Sequence, residues 1–116
     1  MLIHFCKSKI SHATITEAEL HYEGSITLDV ELLKAVNIVE GERVEVLNLN
    51  NGNRFETYAI AGKAGSGQIC LNGPAARLGL VGDQIIILSY ALFTPEEAKA
   101  AKTKIIYLDG KNRIKK

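Results

Sequence analysis

The amino-acid sequence predicts a small, mainly β protein that closes into a barrel. Its apolar runs are short, and Gly, Asn and Pro punctuate them often, which is typical of short strands joined by turns. At 116 residues the chain fits a single domain with one modest core. Six or seven strands and two short helices fit into this length, and a closed sheet avoids exposed edges. We therefore predict one domain over residues 1–116.

The first third of the chain contains three strand signals and one helix signal. The predicted strands are LIHFCKSKI at 2–10, ATI at 13–15 and SITLD at 25–29. The acidic TEAEL at 16–20 predicts a turn between the last two. A helix is predicted over 29–36, because Asp29 is a suitable N-cap and Leu32 and Leu33 contribute to one apolar face.

The middle of the chain predicts a hairpin followed by a compact segment. ERVEVLNLNNGNRFETYAIAG at 42–62 reads as two strands joined through Asn51-Gly52, the strongest short hairpin signal. QICL at 68–71 predicts another strand. The small residues of NGPAARLG at 72–79 allow close backbone approach, and its AARL predicts one helical turn.

The last third predicts two strands, one helix and a loose tail. QIIILSY at 84–90 is apolar enough for a buried strand, and KIIYL at 104–108 predicts the final strand. TPEEAKAA at 94–101 predicts a helix that begins with a Thr94 and Glu97 capping box. The charged DGKNRIKK at 109–116 predicts a loose tail.

Composition and spacing argue against several classes of function. A net charge of +1 predicts no general attraction to nucleic acid. No apolar run is long enough for a membrane span, and the N-terminus lacks signal-peptide features, so we predict a cytoplasmic protein. Cys6 and Cys70 are expected to be small buried side chains rather than a disulfide. His4, His12 and His21 have no metal-ligand spacing, so no metal is predicted.

HYEGS at 21–25 contains a Gly-Ser pair with two interpretations. One is an ordinary surface turn. The other is a self-cleavage site, in which the Ser25 hydroxyl attacks the Gly24 carbonyl and turns the amide into an ester. Elimination and hydrolysis would then leave a pyruvoyl group at residue 25. Glycine suits this role because it tolerates strained backbone, but the pair alone does not decide between the interpretations.

The surrounding segments resemble a known family. TEAELHYEGSITLD, NNGNRFETYAIAG and LNGPAA, with Lys9 before them, resemble the pyruvoyl-dependent aspartate 1-decarboxylases. The resemblance covers essentially the whole chain in length, motif order and spacing. It implies a double-psi β-barrel and a homotetramer with active sites between subunits. It also implies cleavage between Gly24 and Ser25 into a β chain, 1–24, and an α chain, 25–116.

The same resemblance implies an activity and a set of site residues. The activity is conversion of L-aspartate to β-alanine and CO2 for pantothenate and coenzyme A. The implied roles are the pyruvoyl precursor Ser25, the proton donor Tyr58, the cleavage and substrate residue Thr57, the cationic Lys9 and Arg54, and the substrate loop Asn72, Gly73, Pro74 and Ala75. The chain departs from the family pattern at Ser11-His12, where His often comes first, and at Pro74, where Ala is common.

The implied chemistry explains why these residue types are needed. A pyruvoyl ketone forms a Schiff base with the substrate amine and accepts the electrons left by CO2, so pyridoxal phosphate is not required. Arg54 is expected to hold the retained β-carboxylate, with Lys9 in support, because pairing the leaving carboxylate would stabilise the ground state. Tyr58 can return a proton to the α-carbon. Thr57 is the candidate donor to the oxyanion during cleavage.

Three points stay open at this stage. In a regular strand Arg54 and Tyr58 share a face while Thr57 points the other way, so either a bulge or a site between subunits is needed. Asn72 could position the cleavage segment or the substrate. The alternative to an enzyme is a non-enzymatic small β-barrel, such as a DNA-binding or adaptor domain.

Overall fold

The computed structural model describes residues 1–115, which form eight strands, two short α-helices and one 3₁₀ helix. The mainly β class is confirmed, and the number of strands is eight rather than six or seven. The strands are β1 (Ile3–Thr14), β2 (Glu17–Glu19), β3 (Ser25–Asp29), β4 (Arg43–Asn48), β5 (Arg54–Gly62), β6 (Ile69–Asn72), β7 (Gln84–Phe93) and β8 (Lys104–Tyr107). The helices are α1 (Val30–Ala35), α2 (Pro95–Ala100) and the 3₁₀ helix Gly73–Arg77.

The sheet curls into a barrel because one continuous segment borders both of its ends. The strand order is β2-β6-β3-β5-β4-β7-β1-β8. β1 lies near one end and β2 forms the other, yet only Ile15 and Thr16 separate them in the chain. The backbone N–H of Ile15 bonds to Asp83, and that of Thr16 bonds to Ile69. This arrangement fits the predicted barrel, and the finer double-psi topology stays a prediction.

The barrel interior is filled by side chains that alternate inward from the strands. These buried positions are Ile10, Ile26, Leu28, Val44, Val46, Ala59, Ile69, Leu71, Ile85 and Ile87. Burial alternates along the first half of β5, where Arg54, Glu56 and Tyr58 are exposed and Phe55 packs on the core. Arg54, Glu56 and Tyr58 therefore lie on the outer face of the barrel.

Local turn and cap signals are confirmed. Gly52 in the predicted hairpin turn has a φ of 76°, which lies in the left-handed region that favours glycine. The Asp29 side chain accepts a hydrogen bond from the backbone of Glu31 at the start of α1. Thr94 and Glu97 form the complete capping box of α2. The 3₁₀ helix begins two residues before the predicted AARL turn.

Two predictions for the N-terminal segment are wrong. TEAEL is not simply a turn, because Glu17–Glu19 pairs in parallel with β6. The partner residues lie more than fifty positions away, and local composition does not report such a pairing. The segments 2–10 and 13–15 form one strand, β1, whose register shifts between Ile10 and Ala13 and where His12 has a φ of 63°. The irregularity made one strand look like two.

The loose tail is also contradicted over residues 109–115. Asn112 is only 3% exposed, and its side chain makes three hydrogen bonds. Its Nδ2 donates to the carbonyls of Thr14 (2.9 Å) and Gly67 (2.8 Å), and its Oδ1 accepts from the Thr14 N–H (2.8 Å). The tail therefore ties the end of β1 to the loop before β6.

Within residues 1–115 the helices are too short to cross a membrane, since each α-helix has only six residues.

We predict that Asn112→Ala lowers the free energy of unfolding by about 3 kcal/mol, because buried backbone groups lose their partners and alanine disfavours a positive φ. Urea denaturation at a fixed protein concentration measures this change. The control, Lys111→Ala at the exposed neighbouring position, should stay within about 0.5 kcal/mol of the parent. An unchanged urea midpoint for Asn112→Ala would show that the tail does not stabilise the barrel.

Candidate active site

Ser25 is a buried residue at the beginning of β3. It is 0% exposed and pairs with Asn72 on the neighbouring strand β6. Asn72 Nδ2 donates to Ser25 Oγ (2.9 Å), and the hydroxyl donates over a longer distance, 3.5 Å, to the carbonyl of Glu23. The surface-turn interpretation is therefore wrong for Ser25, although residues 21–24 before it form a bend.

The loop after Asn72 packs directly against the Gly24–Ser25 link. Gly73 has a φ of +64°, and a Cβ there would lie 2.5 Å from the carbonyl oxygen of Tyr22 and 2.9 Å from the Gly24 nitrogen. A Cβ on Gly24 would lie 3.4 Å from Cδ of Pro74. Only glycine satisfies both the backbone conformation and the space at residue 73.

Pro74 and Ala75 continue this contact region into the 3₁₀ helix. Pro74 occupies a first-turn position, where a missing N–H breaks no bond within the helix. Ala75 is 6% exposed and belongs to the core. The substitution of proline for the common alanine thus fits the local backbone, and its ring lies against Gly24.

Thr57 and Tyr58 lie beside the Gly24–Ser25 link on the β5 side of β3, opposite β6. β3 and β5 pair in parallel, with Ile26 opposite Ala59, so the residues just before each come close together. Alternation puts Tyr58, which is 39% exposed, on the outer face with Ser25, and Thr57 on the inner face. The β4–β5 register is regular from Arg54 to Tyr58, so a bulge does not reconcile the three side chains.

Arg54 lies apart from Ser25 within one chain. It is four residues before Tyr58 on β5, so their Cα atoms are roughly 13 Å apart at the usual strand rise. Arg54 Nη2 lies 3.5 Å from Glu45 Oε1, which also accepts a hydrogen bond from the Tyr90 hydroxyl (3.2 Å). These side chains line an outer-face cavity of about 590 Å3. Burial, followed by the charge of Glu45, raises the pKa of Tyr90.

Lys9 is further still from the link. The strand register across the outer face runs through Lys9 on β1, Leu88 on β7, Glu45 on β4 and Glu56 on β5. Three strand spacings therefore separate Lys9 from β5, roughly 14 Å. One chain thus holds two separate groups. We name Gly24, Ser25, Thr57, Tyr58 and Asn72–Ala75 the cleavage group, and Lys9 and Arg54 the cationic group.

Four residues around the two groups were missed by sequence reasoning. Thr27 and Cys70 contact Asn72, and Glu45 and Tyr90 contact Arg54 or its partner. Period-two alternation could have found Thr27, which is two residues from Ser25, and Cys70, which is two residues from Asn72. Glu45 and Tyr90 could not be found in this way, because their proximity to Arg54 depends on the register of three strands.

The histidines and cysteines have separate surroundings. Ser11 is buried, and its Oγ lies 3.2 Å from Nδ1 of the exposed His12, whose ring is 6.1 Å from that of Tyr107. Cys6 and Cys70 are free thiols; Cys70 is buried as predicted, whereas Cys6 is only partly buried. Among residues 1–115, no three His, Cys, Asp or Glu side chains are grouped to hold a metal ion.

Comparisons with known proteins agree on one family. The aspartate decarboxylase family matches residues 1–115, and the chain therefore belongs to this family. It is 58% identical to an aspartate 1-decarboxylase of Caldicellulosiruptor saccharolyticus, over 100% of this chain and 91% of that protein. Identity is 57% to the Acetivibrio thermocellus protein of the same name, over 98% and 90% of the two chains. It is 53% to that of Lactiplantibacillus plantarum, over 100% and 89%.

Proposed function

We propose that this chain is a self-processing, pyruvoyl-dependent decarboxylase that converts L-aspartate to β-alanine and CO2. Its family and its relatives, which are named aspartate 1-decarboxylases, support the activity and set aside a DNA-binding or adaptor domain. The proposal includes a cytoplasmic location and a role in supplying β-alanine for pantothenate and coenzyme A. The observation that best supports self-processing is the buried Ser25 hydroxyl, which accepts a hydrogen bond from Asn72 and lies next to the Gly24–Ser25 link, against which Gly73 packs.

Self-cleavage would proceed between Gly24 and Ser25. The Ser25 Oγ attacks the Gly24 carbonyl carbon, the C–N bond breaks, and an ester replaces the amide. Elimination then removes the α-proton of residue 25, breaks the Cβ–Oγ bond and forms the Cα=Cβ bond of a dehydroalanine, and it leaves Gly24 as a carboxylate that ends a β chain of residues 1–24. Hydrolysis releases ammonia and leaves a pyruvoyl group at the start of an α chain of residues 25–116. Ser25 is an intact serine here, so the contacts described are those that precede cleavage.

The residues around Ser25 fit these requirements. The amide of Asn72 limits the positions open to the Ser25 hydroxyl, and complete burial of Ser25 limits access of water. Gly24 has the conformational freedom that attack at its carbonyl demands. Thr57, beside this link on β5, is our candidate to stabilise the developing oxyanion.

The pyruvoyl group would supply an electron sink for loss of CO2, with neither pyridoxal phosphate nor a metal. Tyr58 lies on the outer face with Ser25 and is partly exposed, so its hydroxyl can reach a bound substrate. A neutral phenol at this position is suited to return a proton to the α-carbon.

The cationic group would bind the β-carboxylate of aspartate from a neighbouring subunit. The Arg54 side chain is 62% exposed, and its contact with Glu45 is long, so its guanidinium can donate hydrogen bonds to another carboxylate. Within a single chain, Lys9 and Arg54 lie several strand positions away from Ser25, which favours a site that a neighbouring subunit completes. A homotetramer with active sites between subunits would bring the two groups together, with Asn72, Gly73, Pro74 and Ala75 lining the substrate site.

We predict that denaturing mass spectrometry of the purified parent finds two chains, 1–24 and 25–116, and that the larger one lacks the serine amine. Ser25→Ala removes the nucleophile, so only the intact chain of 12.7 kDa should be present after prolonged warming, and activity should be absent. Ser66→Ala, at an exposed serine that also follows a glycine, is the matched control and should be cleaved like the parent. A parent that stays intact would contradict self-processing.

We predict that Gly73→Ala slows self-cleavage at least about tenfold, because the new Cβ displaces the Tyr22–Gly24 segment from the Ser25 hydroxyl. The fraction of cleaved chain over time measures this rate. Gly52→Ala is the control, since Gly52 has a similar φ of +76° but nothing within 4 Å of the added Cβ. Equal cleavage rates in the two variants would mean that the contact with residue 73 is unimportant.

We predict that two inactive variants restore activity when they assemble together. Ser25→Ala lacks the pyruvoyl group, and Arg54→Ala lacks the guanidinium that would bind the β-carboxylate. About a quarter of the sites between randomly mixed subunits would therefore contain both native groups. Co-expression with two affinity tags, followed by an assay for β-alanine, tests this.

Mixing Ser25→Ala with Tyr58→Phe is the control for this experiment. Residues 25 and 58 lie on paired strands of one chain, so no mixed site regains both, and activity should stay absent. If the mixture of Ser25→Ala with Arg54→Ala is also inactive, a site shared between subunits is refuted.

A further inference from the structure

Four side chains form a two-by-two arrangement on the outer face where β3 and β6 pair. Ser25 lies opposite Asn72, and Thr27 lies opposite Cys70. Because side chains two residues apart share a face, all four point the same way. Asn72 Nδ2 donates to both hydroxyls, Ser25 Oγ and Thr27 Oγ1, at 2.9 Å each. Asn72 Oδ1 accepts from the thiol of Cys70, with Sγ at 3.2 Å.

The Asn72 amide uses three of its four hydrogen-bonding directions, which leaves one acceptor lone pair. It has two N–H donors, both of which are engaged, and its oxygen receives the thiol hydrogen. Asn72 is 3% exposed and Cys70 is 5% exposed, so water does not readily replace these partners. The amide plane is therefore set by Thr27 and Cys70 as much as by Ser25.

The Cys70 thiol keeps its hydrogen at neutral pH. Burial raises its pKa, and the carboxylates of Glu17 and Glu19 on β2 raise it further. β2 brings these carboxylates close, because Glu17 pairs with Cys70 itself and Glu19 with Asn72. A protonated thiol has a hydrogen to donate to the amide oxygen, as Cys70 does here, and this favours the orientation that turns Nδ2 towards Ser25.

We propose that Thr27 and Cys70 are positioning residues for cleavage at the Gly24–Ser25 link, and that they act by holding the Asn72 amide in the orientation that donates to Ser25 Oγ. With one lone pair of Oγ engaged by Asn72, the hydroxyl hydrogen turns towards the carbonyl of Glu23. Thr27 and Cys70 bond to Asn72 rather than to the link, so their effect passes through its amide. This inference rests on the proposed self-cleavage.

The test follows the cleaved fraction over time by denaturing mass spectrometry, beginning with freshly purified uncleaved chain. Thr27→Val and Cys70→Ala remove one partner of Asn72 each and should slow cleavage about three- to tenfold, the usual effect of one orienting hydrogen bond. Thr27→Ser keeps the hydroxyl oxygen that accepts from Asn72, and Cys70→Ser replaces the thiol with a hydroxyl donor, so both should return the rate to within about twofold of the parent. This rescue separates positioning from a loss of packing, since serine is no better at filling space.

Cys6 supplies the matched control, because it is the other free thiol and lies on β1. Cys6→Ala should cleave at the parental rate. The melting temperature of every variant is measured together with its cleavage rate. If Cys70→Ala fails to fold, the near-isosteric Thr27→Val and its rescue variant Thr27→Ser decide whether a hydrogen bond to Asn72 affects cleavage.

The outcomes separate this inference from the proposed function. Parental cleavage rates in both Thr27→Val and Cys70→Ala would overturn the positioning role while leaving self-cleavage intact. Slow cleavage that serine does not rescue would also overturn it, since packing rather than hydrogen bonding would then be responsible. A parent that never cleaves would overturn both proposals together.

Discussion

The pairing of β3 between β5 and β6 is the constraint on which the rest of the site depends. On one side β3 runs parallel to β5, and on the other it runs antiparallel to β6. These two pairings bring residue 25 beside residues 58 and 72, which are more than thirty and more than forty positions away in the chain. The backbone ladder therefore decides which side chains surround Ser25, and the inward core residues Ile26 and Leu28 hold that ladder in register.

In the proposed self-cleavage, this position combines a nucleophile held in a strand with a preceding segment that lies outside any strand. Ser25 is held by strand pairing and by Asn72, whereas residues 21–24 before it form only a bend. Gly73 lets the loop after β6 approach this bend to a distance that any side chain would block. A hydroxyl that is fixed beside a backbone that can distort is the arrangement that intramolecular attack requires. The same contacts explain why a small barrel places two glycines and a proline at one point.

The spacing of residues along the outer face of β5 is the reason that we propose an active site shared between subunits. Alternation keeps Arg54 and Tyr58 on one face, but four residues of extended strand separate them. Arg54 and Glu45 line the neighbouring cavity, and Lys9 lies three strands away from β5. The interior of the barrel is occupied by the apolar core side chains. A site between copies of the chain is the arrangement that makes the cationic group useful to Ser25.

The sequence by itself determined the mainly β class, the Asn51-Gly52 hairpin, both helix caps and, through its resemblance, the family and the HYEGS segment. These features depend on neighbours within a few residues, or on a motif that can be read directly. Only the tertiary structure decided that β2 pairs with β6, that Asn112 anchors the tail, and that Thr27 and Cys70 surround Asn72. It also separated Lys9 and Arg54 from Ser25. Each of these depends on strand register between distant segments, which is set by packing of the whole barrel. Alternation places Thr27 on the face of Ser25 and Cys70 on the face of Asn72, but the pairing of the two strands is decided by the fold.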